Sequence, residues 1–281
     1  MSLDMAEDLT IAFVGAGNMA GALIRGLIGT KTIPSTLIIA ADPDQARLDL
    51  LESDLGIRVT KSNDRAVGEA NVVVLATKPQ VFGQVLPSLA ASLKPGTLVI
   101  SIAAGISTRI IERMLPDGTR VVRTMPNTPA LVGSGATAVA AGTHATDEDL
   151  ALTQRLFESV GIVVRVPESQ IDAVTGVSGS GPAYVFSMIE ALRDAGAREG
   201  LPEATALELA SQTVLGAARL LLERGGTPEA LRQEVTSPGG TTVAGLQALD
   251  TKGFRDAVLG AVRAATRRST ELGKIAEDAN D

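Results

Sequence analysis
The sequence predicts an α/β protein in which a parallel-sheet domain is followed by an all-α domain. Three observations carry that reading. Short apolar, β-leaning runs recur through residues 9–166 and alternate with helical patterns, the arrangement of a parallel sheet with helices on both faces. The first run stops at a glycine-rich turn that opens directly into a helical pattern. From Gln170 onward the strand signal disappears and the apolar spacing becomes helical. A chain of 281 residues fits two domains of roughly 100 to 200 residues each, the first expected over 1–167 and the second over 168–281.

Leu9 to Val14 is the first expected strand. It ends at Gly15-Ala16-Gly17-Asn18-Met19-Ala20-Gly21, and Leu23, Leu27 and Ile28 continue as a helix. In such a turn Gly15 makes the sharp bend and Gly17 lets a pyrophosphate approach the backbone. The small Ala20 lets helix and strand pack closely. The alternative is a turn that only packs a helix on a sheet. Leu37 to Ala41 reads as the second strand and ends at Asp42-Pro43-Asp44, where an acid would accept hydrogen bonds from an adenosine ribose. Asp42 therefore leans slightly to NADH, because it repels the 2′-phosphate of NADPH unless Arg47 or another cation compensates. Alternatively, Asp42 or Asp44 caps the helix carrying Ala46, Leu50 and Leu51.

Further strands are expected at Ile57 to Val59, Val72 to Ala76, Leu98 to Ile102 and Val121 to Thr124, separated by helices such as Val81 to Leu93 and Thr108 to Leu115. Thr137 to Ala141 and Gly161 to Val166 add edge strands around a helix from Asp147 to Ser159. Ligands in such sheets bind outside the carboxyl ends of the strands. The ends Ala76-Thr77-Lys78-Pro79, Ser101-Ile102-Ala103-Ala104-Gly105 and Arg123-Thr124-Met125-Pro126-Asn127-Thr128-Pro129 should line one crevice. Small residues at the second let a flat nicotinamide approach the backbone, or serve close packing alone.

In the second half, Pro182 fits the first turn of a helix through Ala183 to Glu199. Glu203 to Glu223 follows, with Leu207, Ala210, Val214, Ala217 and Leu221 on one face, and Phe254 to Lys274 is the last helix. Leu201-Pro202 and Gly225-Gly226-Thr227-Pro228 are stops between helices. An apolar helical domain of this kind is expected to bury a face against a second subunit. The stretch Val235 to Gly245, Val-Thr-Ser-Pro-Gly-Gly-Thr-Thr-Val-Ala-Gly, sets rigid turn residues and hydroxyls before a helix that begins at Thr241 or Thr242. Unpaired N–H groups at a helix start can hold a substrate carboxylate; the plainer alternative is a loop with a Thr N-cap.

Composition excludes several functions. The chain is 45% hydrophobic and 20% charged, so it folds as a globular protein. Aromatic residues are 2% with no Trp, which removes the usual stacking platform for single-stranded nucleic acid. A net charge of -7 repels phosphate backbones, and the short basic cluster Arg263, Arg267 and Arg268 reads as solvated surface. No nucleic-acid partner is expected. Zero Cys excludes disulfides, thiolate metal sites and a cysteine nucleophile, and no metal site is expected. The single His, His144, reads as a solvated loop residue. The start of the chain lacks the basic and apolar regions of a signal peptide, and no apolar run reaches the ~20 residues of a membrane span. A cytoplasmic location without a membrane partner is expected.

Taken together, the motifs Gly15-Ala16-Gly17-Asn18-Met19-Ala20, Lys78-Pro79, Ser101-Ile102-Ala103-Ala104-Gly105, Met125-Pro126-Asn127-Thr128-Pro129, Ser178-Gly179-Ser180-Gly181-Pro182-Ala183-Tyr184 and Ser237-Pro238-Gly239-Gly240-Thr241-Thr242 resemble the pyrroline-5-carboxylate reductases nearly end to end. The last two, in that order after a dinucleotide turn, are the most specific. The resemblance implies an N-terminal Rossmann-type domain holding NADPH or NADH. It also implies a C-terminal helical domain that forms an intertwined dimer, with larger rings such as a decamer, and active sites shared between subunits.

By motif position, the resemblance implies that Val14, Gly15, Ala16, Gly17, Asn18 and Met19 hold the pyrophosphate, with Asp42 and Asn63 at the adenosine ribose. Ala76, Thr77, Lys78 and Pro79, with Ile102, Ala103 and Ala104, flank the rest of the cofactor. Glu168 lies near the substrate, and Ser237, Gly240, Thr241 and Thr242 form its cradle, Thr242 being the catalytic candidate at the ring nitrogen. Two departures stand out: Asp42 replaces a hydroxyl or basic residue common in relatives, and Glu234 stands where some relatives have Asn.

The implied reaction reduces 1-pyrroline-5-carboxylate to L-proline, the last step of proline biosynthesis. Ser178, Ser180 and Tyr184 are expected to cap or pack the long helix. A hydroxyacid dehydrogenase would need a lysine on that helix, and Ala183 to Glu199 contains none. A non-catalytic NAD(P)-sensing protein would keep the glycine turn without needing the Ser237 to Thr242 cradle.

Overall fold
The structure of the protein, a computed structural model, describes residues 9–278. Among these, eight strands form one sheet: β1 (Ile11–Val14), β2 (Ile38–Ala41), β3 (Arg58–Thr60), β4 (Val72–Leu75), β5 (Leu98–Ser101), β6 (Arg120–Met125), β7 (Gly135–Ala141) and β8 (Gly161–Arg165). Their spatial order is β3-β2-β1-β4-β5-β6-β7-β8. The pairs from β3 to β6 are parallel, as the alternation of strand and helix predicts. The order of strand addition reverses between the parallel β1 and β4, which places the ligand crevice at their carboxyl ends.

β7 runs antiparallel to β6, with Val122 opposite Ala141 and Met125 opposite Ala138. The reason is the connection. Residues 126–134 hold only a 3-10 turn, Thr128–Val132, and a parallel return needs a crossover of a dozen or more residues. The helix Asp147–Glu158 supplies such a crossover from β7 to β8, which pair in parallel.

Strands buried on both faces read as continuous apolar runs. In β1, Ile11 and Phe13 pack with Leu23, Leu27, Leu156 and Phe157 on one face. Ala12 and Val14 pack with Phe82, Leu86, Ile110 and Ile111 on the other. The helices of this layer are α1 (Asn18–Gly29), α2 (Gln45–Leu55), α3 (Asn63–Glu69), α4 (Phe82–Ala90), α5 (Thr108–Met114) and α6 (Asp147–Glu158). Their starts are capped as the sequence dictates: Asp44, Ser62 and Ser107 accept N–H bonds for α2, α3 and α5, and Thr146 forms a capping box with Asp149 for α6.

Contacts divide the chain into one unit of residues 1–180 with 264–281 and a second of 181–263. The division differs from a boundary after residue 167. Residues 168–180 form a short helix, α7 (Ile171–Val174), and a π-helix, Thr175–Gly179, and they pack on the sheet through Ile171, which is fully buried beside Ala138 and Ala140 of β7. The end of the last helix also joins this unit, where Asp172 accepts from Ser269 Oγ at 2.7 Å and Thr270 Oγ1 at 2.8 Å.

The second unit holds α8 (Gly181–Arg198), α9 (Glu203–Arg224), α10 (Pro228–Glu234) and α11 (Thr241–Thr251), with the first part of α12 (Phe254–Asp278). α10 begins at Pro228, the last residue of what reads in sequence as a stop, because Thr227 caps it and Pro228 occupies its first position. α8 and α9 approach closely where a Cβ on Gly196 would lie 3.0 Å from Ala206 Cβ. On α9, Ala206 and Ala210 are buried while Leu207 is 43% exposed, so only part of the expected apolar face is covered.

Candidate active site
β1 ends in the expected turn. Gly15 adopts φ +103, and a Cβ there would lie 2.7 Å from the Ala76 carbonyl oxygen, so the bend admits only glycine. Its N–H donates to the Ala41 carbonyl, and the Ala76 N–H donates to Val14, each at 2.8 Å, which stitches the ends of β2, β1 and β4 together. Gly17 is the N-cap of α1 and has no side-chain cap; a Cβ there would meet nothing within 4 Å. Open space over an uncapped start of a twelve-residue helix suits a pyrophosphate. At the end of β4, Thr77 Oγ1 is buried without a hydrogen-bond partner. A glycine cradle, an uncapped helix start and an orphaned hydroxyl together fit a dinucleotide. Asn63, the first residue of α3, is half-buried, and Lys78 is exposed.

Asp42 also has protein partners, in addition to the ribose role expected of it. It is only 6% exposed, and its Oδ2 accepts from the Ala16 N–H at 2.8 Å while Oδ1 accepts from the Asp44 N–H at 2.9 Å. Arg47 Nη1 stands 3.7 Å from Oδ2 and its Nε 3.3 Å from Asp44. The carboxylate braces the glycine turn, and a cation stands beside it. Asp44 is the N-cap of α2, as the alternative reading has it, accepting from Ala46 at 3.0 Å.

Glu168 is likewise engaged by protein. Oε1 accepts from the Thr108 N–H at 2.7 Å and from Arg123 Nη1 at 3.2 Å, and Oε2 accepts from Thr108 Oγ1 at 2.7 Å. Arg123, on β6, is 6% exposed and its Nε has no partner among the described residues. The sequence places Arg123 in a strand end expected to line the crevice but assigns it no partner. Its one signal was a charge inside an apolar strand run, which calls for a buried partner. Asn127 was quoted only as part of a motif; it accepts from the Ala136 N–H at 2.8 Å and donates to the Ser178 carbonyl at 3.1 Å, pinning the π-helix to β7. The Ser178 hydroxyl does not cap the long helix; it accepts from Asn127 at 3.2 Å and donates to the Ala136 carbonyl at 3.4 Å, while the Tyr184 hydroxyl donates to the Ala261 carbonyl at 3.4 Å, a packing role.

Ser237, Gly240, Thr241 and Thr242 belong to the second unit, whereas Glu168 and the cofactor set belong to the first. Gly239 adopts φ +69, and the Gly240 N–H donates to the Ser237 carbonyl at 3.0 Å, closing a tight turn. The N-cap of α11 is Gly240, without a side-chain cap bond, and not a threonine. Thr241 and Thr242 are the first two helical residues, and neither hydroxyl has a hydrogen-bond partner among the described residues. Free hydroxyls beside uncapped N–H groups at the start of an eleven-residue helix suit a small anionic ligand. Among the described residues no group of three or more His, Asp or Glu could hold a metal ion, and no helix is long and apolar enough to cross a membrane.

A sheet of this order with a glycine-turn cradle, joined to a helical unit, defines a nicotinamide-nucleotide oxidoreductase of the Rossmann type. Residues 10–105 match the family model for NADP oxidoreductase, coenzyme F420-dependent, and residues 168–272 match that for pyrroline-5-carboxylate reductase dimerisation. A pyrroline-5-carboxylate reductase of Synechocystis sp. is 49% identical over 95% of this chain and 99% of its own length. The solved reductase of Coxiella burnetii is 39% identical with a TM-score of 0.90, covering 94% of this chain and 98% of its own. That of Plasmodium falciparum, solved with NADP bound, is 30% identical with a TM-score of 0.85, covering 95% of this chain and 99% of its own. The chain belongs to the pyrroline-5-carboxylate reductase family, and it carries that family's dimerisation domain.

Proposed function
We propose that the protein reduces 1-pyrroline-5-carboxylate to L-proline with NAD(P)H, acting as a self-associating enzyme. The observation that carries the reading is the pair of unpartnered hydroxyls of Thr241 and Thr242 at the uncapped start of α11. NAD(P)H, when bound, supplies the hydride that reduces the C=N bond. Gly15, Ala16, Gly17, Asn18 and Met19, with Val14 behind them, hold the pyrophosphate. Asp42 lies beside the adenosine ribose and Asn63 contacts it, and Ala76 to Pro79 with Ile102 to Ala104 wall the crevice. Arg47, beside Asp42, makes NADPH acceptable.

Ser237, Gly240 and Thr241 hold the substrate carboxylate, Glu168 lies near the substrate, and the Thr242 hydroxyl meets the imine nitrogen. A threonine hydroxyl does not ionise near neutral pH, so Thr242 orients the nitrogen or relays a proton from water. Orientation is the main contribution: holding two reactants in attack geometry can remove roughly 7 to 11 kcal/mol of barrier. In functional terms residues 1–167 bind the cofactor, and 168–281 bind the substrate and dimerise; larger rings such as a decamer build on that dimer. A cytoplasmic location is proposed from composition.

The test follows absorbance loss of NADH and NADPH with 1-pyrroline-5-carboxylate. Turnover with either supports the reductase. Folded protein that binds cofactor and turns over neither would promote the sensor reading.

A further inference from the structure
We infer that Arg123 and Thr108 are positioning residues for the imine: together they hold the Glu168 carboxylate level with the crevice, inside a pair of no net charge and with one acceptor position left for the substrate. The inference rests on the reductase reading proposed above, in which Glu168 lies near the substrate. Sheet register fixes where Arg123 stands. β1, β4 and β5 end at Val14, Leu75 and Ser101, which align with one another across the sheet and with Arg123. Arg123 is thus level with the carboxyl ends of the parallel strands, where ligands of such sheets bind. Thr108 begins α5, the helix that follows β5. Glu168 arrives from another part of the chain, the 3-10 turn Glu168–Gln170 after β8. Its carboxylate meets both: Oε1 accepts from the Thr108 N–H at 2.7 Å and from Arg123 Nη1 at 3.2 Å, and Oε2 accepts from the Thr108 hydroxyl at 2.7 Å.

A carboxylate offers about four acceptor positions, two on each oxygen. Among the described residues, the donors of Thr108 and Arg123 fill both on Oε1 and one on Oε2, which leaves one on Oε2. The two anchoring residues are buried, while the Glu168 side chain is 28% exposed. Burying an ion pair is a poor way to gain stability alone, since apolar residues of similar volume do as well or better. For this substrate the pair has a specific use. 1-Pyrroline-5-carboxylate brings a carboxylate, which only accepts, and a ring nitrogen, which donates once protonated. A solitary Glu168 carboxylate would attract that nitrogen and repel the carboxylate of the same molecule. With Arg123 as its counter-charge, Glu168 accepts from the protonated nitrogen without that repulsion. Thr108 fixes which oxygen faces which donor, because its N–H and hydroxyl grip one oxygen each.

The experiment uses the full chain and measures KM and kcat for the imine at saturating NADPH, with the NADPH dissociation constant read separately by nucleotide fluorescence. Thr108→Val removes the hydroxyl donor to Oε2 with little change of shape and keeps the N–H to Oε1. The expected result is a rise in KM for the imine by a factor on the order of 5 to 10, with the NADPH constant within about twofold of wild type and recovery in Thr108→Ser. Arg123→Lys keeps the charge and loses the planar fork; it should raise the same KM, and it carries the test should Thr108→Val fail to fold. A purely structural role would lower the unfolding temperature and leave KM where it was, so an unchanged KM in a folded variant overturns the inference. So does an NADPH constant raised as much as KM, which would make the group a support of the cofactor wall. If wild-type protein binds NADPH and reduces no imine, the reductase reading falls and the inference with it. An active wild type whose variants keep its KM removes the inference alone.

Discussion

At the scale of single residues, the side chains of the site are defined by what they donate to and accept from. The Thr242 hydroxyl has no hydrogen-bond partner among the described residues. Thr242→Ala is therefore expected to lower kcat/KM for the imine by on the order of 100-fold, with NADPH binding within about twofold of wild type and partial recovery in Thr242→Ser. Full activity in the alanine variant, read by steady-state kinetics, would remove Thr242 from the chemistry. Asp42 holds the Ala16 and Asp44 N–H groups. Asp42→Asn turns one acceptor into a donor against a backbone N–H, so it should cost about 1–3 kcal/mol in urea unfolding and weaken NADH and NADPH binding together. Arg47→Ala should weaken NADPH alone, because only the 2′-phosphate would use that cation. Titrating both nucleotides against both variants separates a brace from a selector.

At the scale of elements, the junction of β1, the turn and α1 depends on backbone angles that only glycine supplies. Gly15→Ala would place a methyl group 2.7 Å from the Ala76 carbonyl oxygen at a positive φ. It should lose on the order of 1–3 kcal/mol of stability and most dinucleotide affinity, measurable by thermal unfolding and nucleotide fluorescence. The π-helix depends on a side chain distant in sequence. Asn127→Ala would leave the Ala136 N–H and the Ser178 carbonyl without their partner, a cost of about 1–3 kcal/mol if water cannot replace it. Hydrogen exchange should quicken at 175–179 before the sheet is affected. The direction of β7 belongs to this scale too: nine residues between β6 and β7 are too few for a crossover, so the chain returns antiparallel.

For the whole molecule, the helical unit exposes Phe186 at 62%, Leu209 at 53%, Leu215 at 51% and Leu222 at 78%. Apolar exposure of this extent marks an association surface, in keeping with the dimerisation domain matched over 168–272. The full chain should sediment as a dimer or larger, and its melting temperature should rise with protein concentration. A concentration-independent monomer would contradict that expectation. The first unit presents apolar surface of its own: a cavity of about 360 Å³ lies between β7, β8 and α7, lined by Ala138, Ile162, Val164, Val174 and Val177. Thr137, Gln170 and Ser178 are the polar residues of its lining, and β7 and β8 lie at the opposite edge of the sheet from β3.

The sequence by itself determined the strands, their alternation with helices, the glycine turn, the helical second half and the hydroxyl-rich start of α11. Each is a local signal: periodicity, a conformational demand on one residue, or a cap within a few positions of the helix it serves. What the tertiary structure decided depends on residues brought together from afar. Arg123 and Glu168 are 45 positions apart, and Ala16 and Asp42 are 26 apart. An acid after a strand does not show in the sequence that it also braces a backbone, because that partner lies on another element. The same holds for residues 168–180, which follow the last strand but pack on the sheet because Ile171 finds its apolar contacts on β7. Local pattern specifies which elements form and which face is apolar; which donor meets which acceptor is settled only when those faces close.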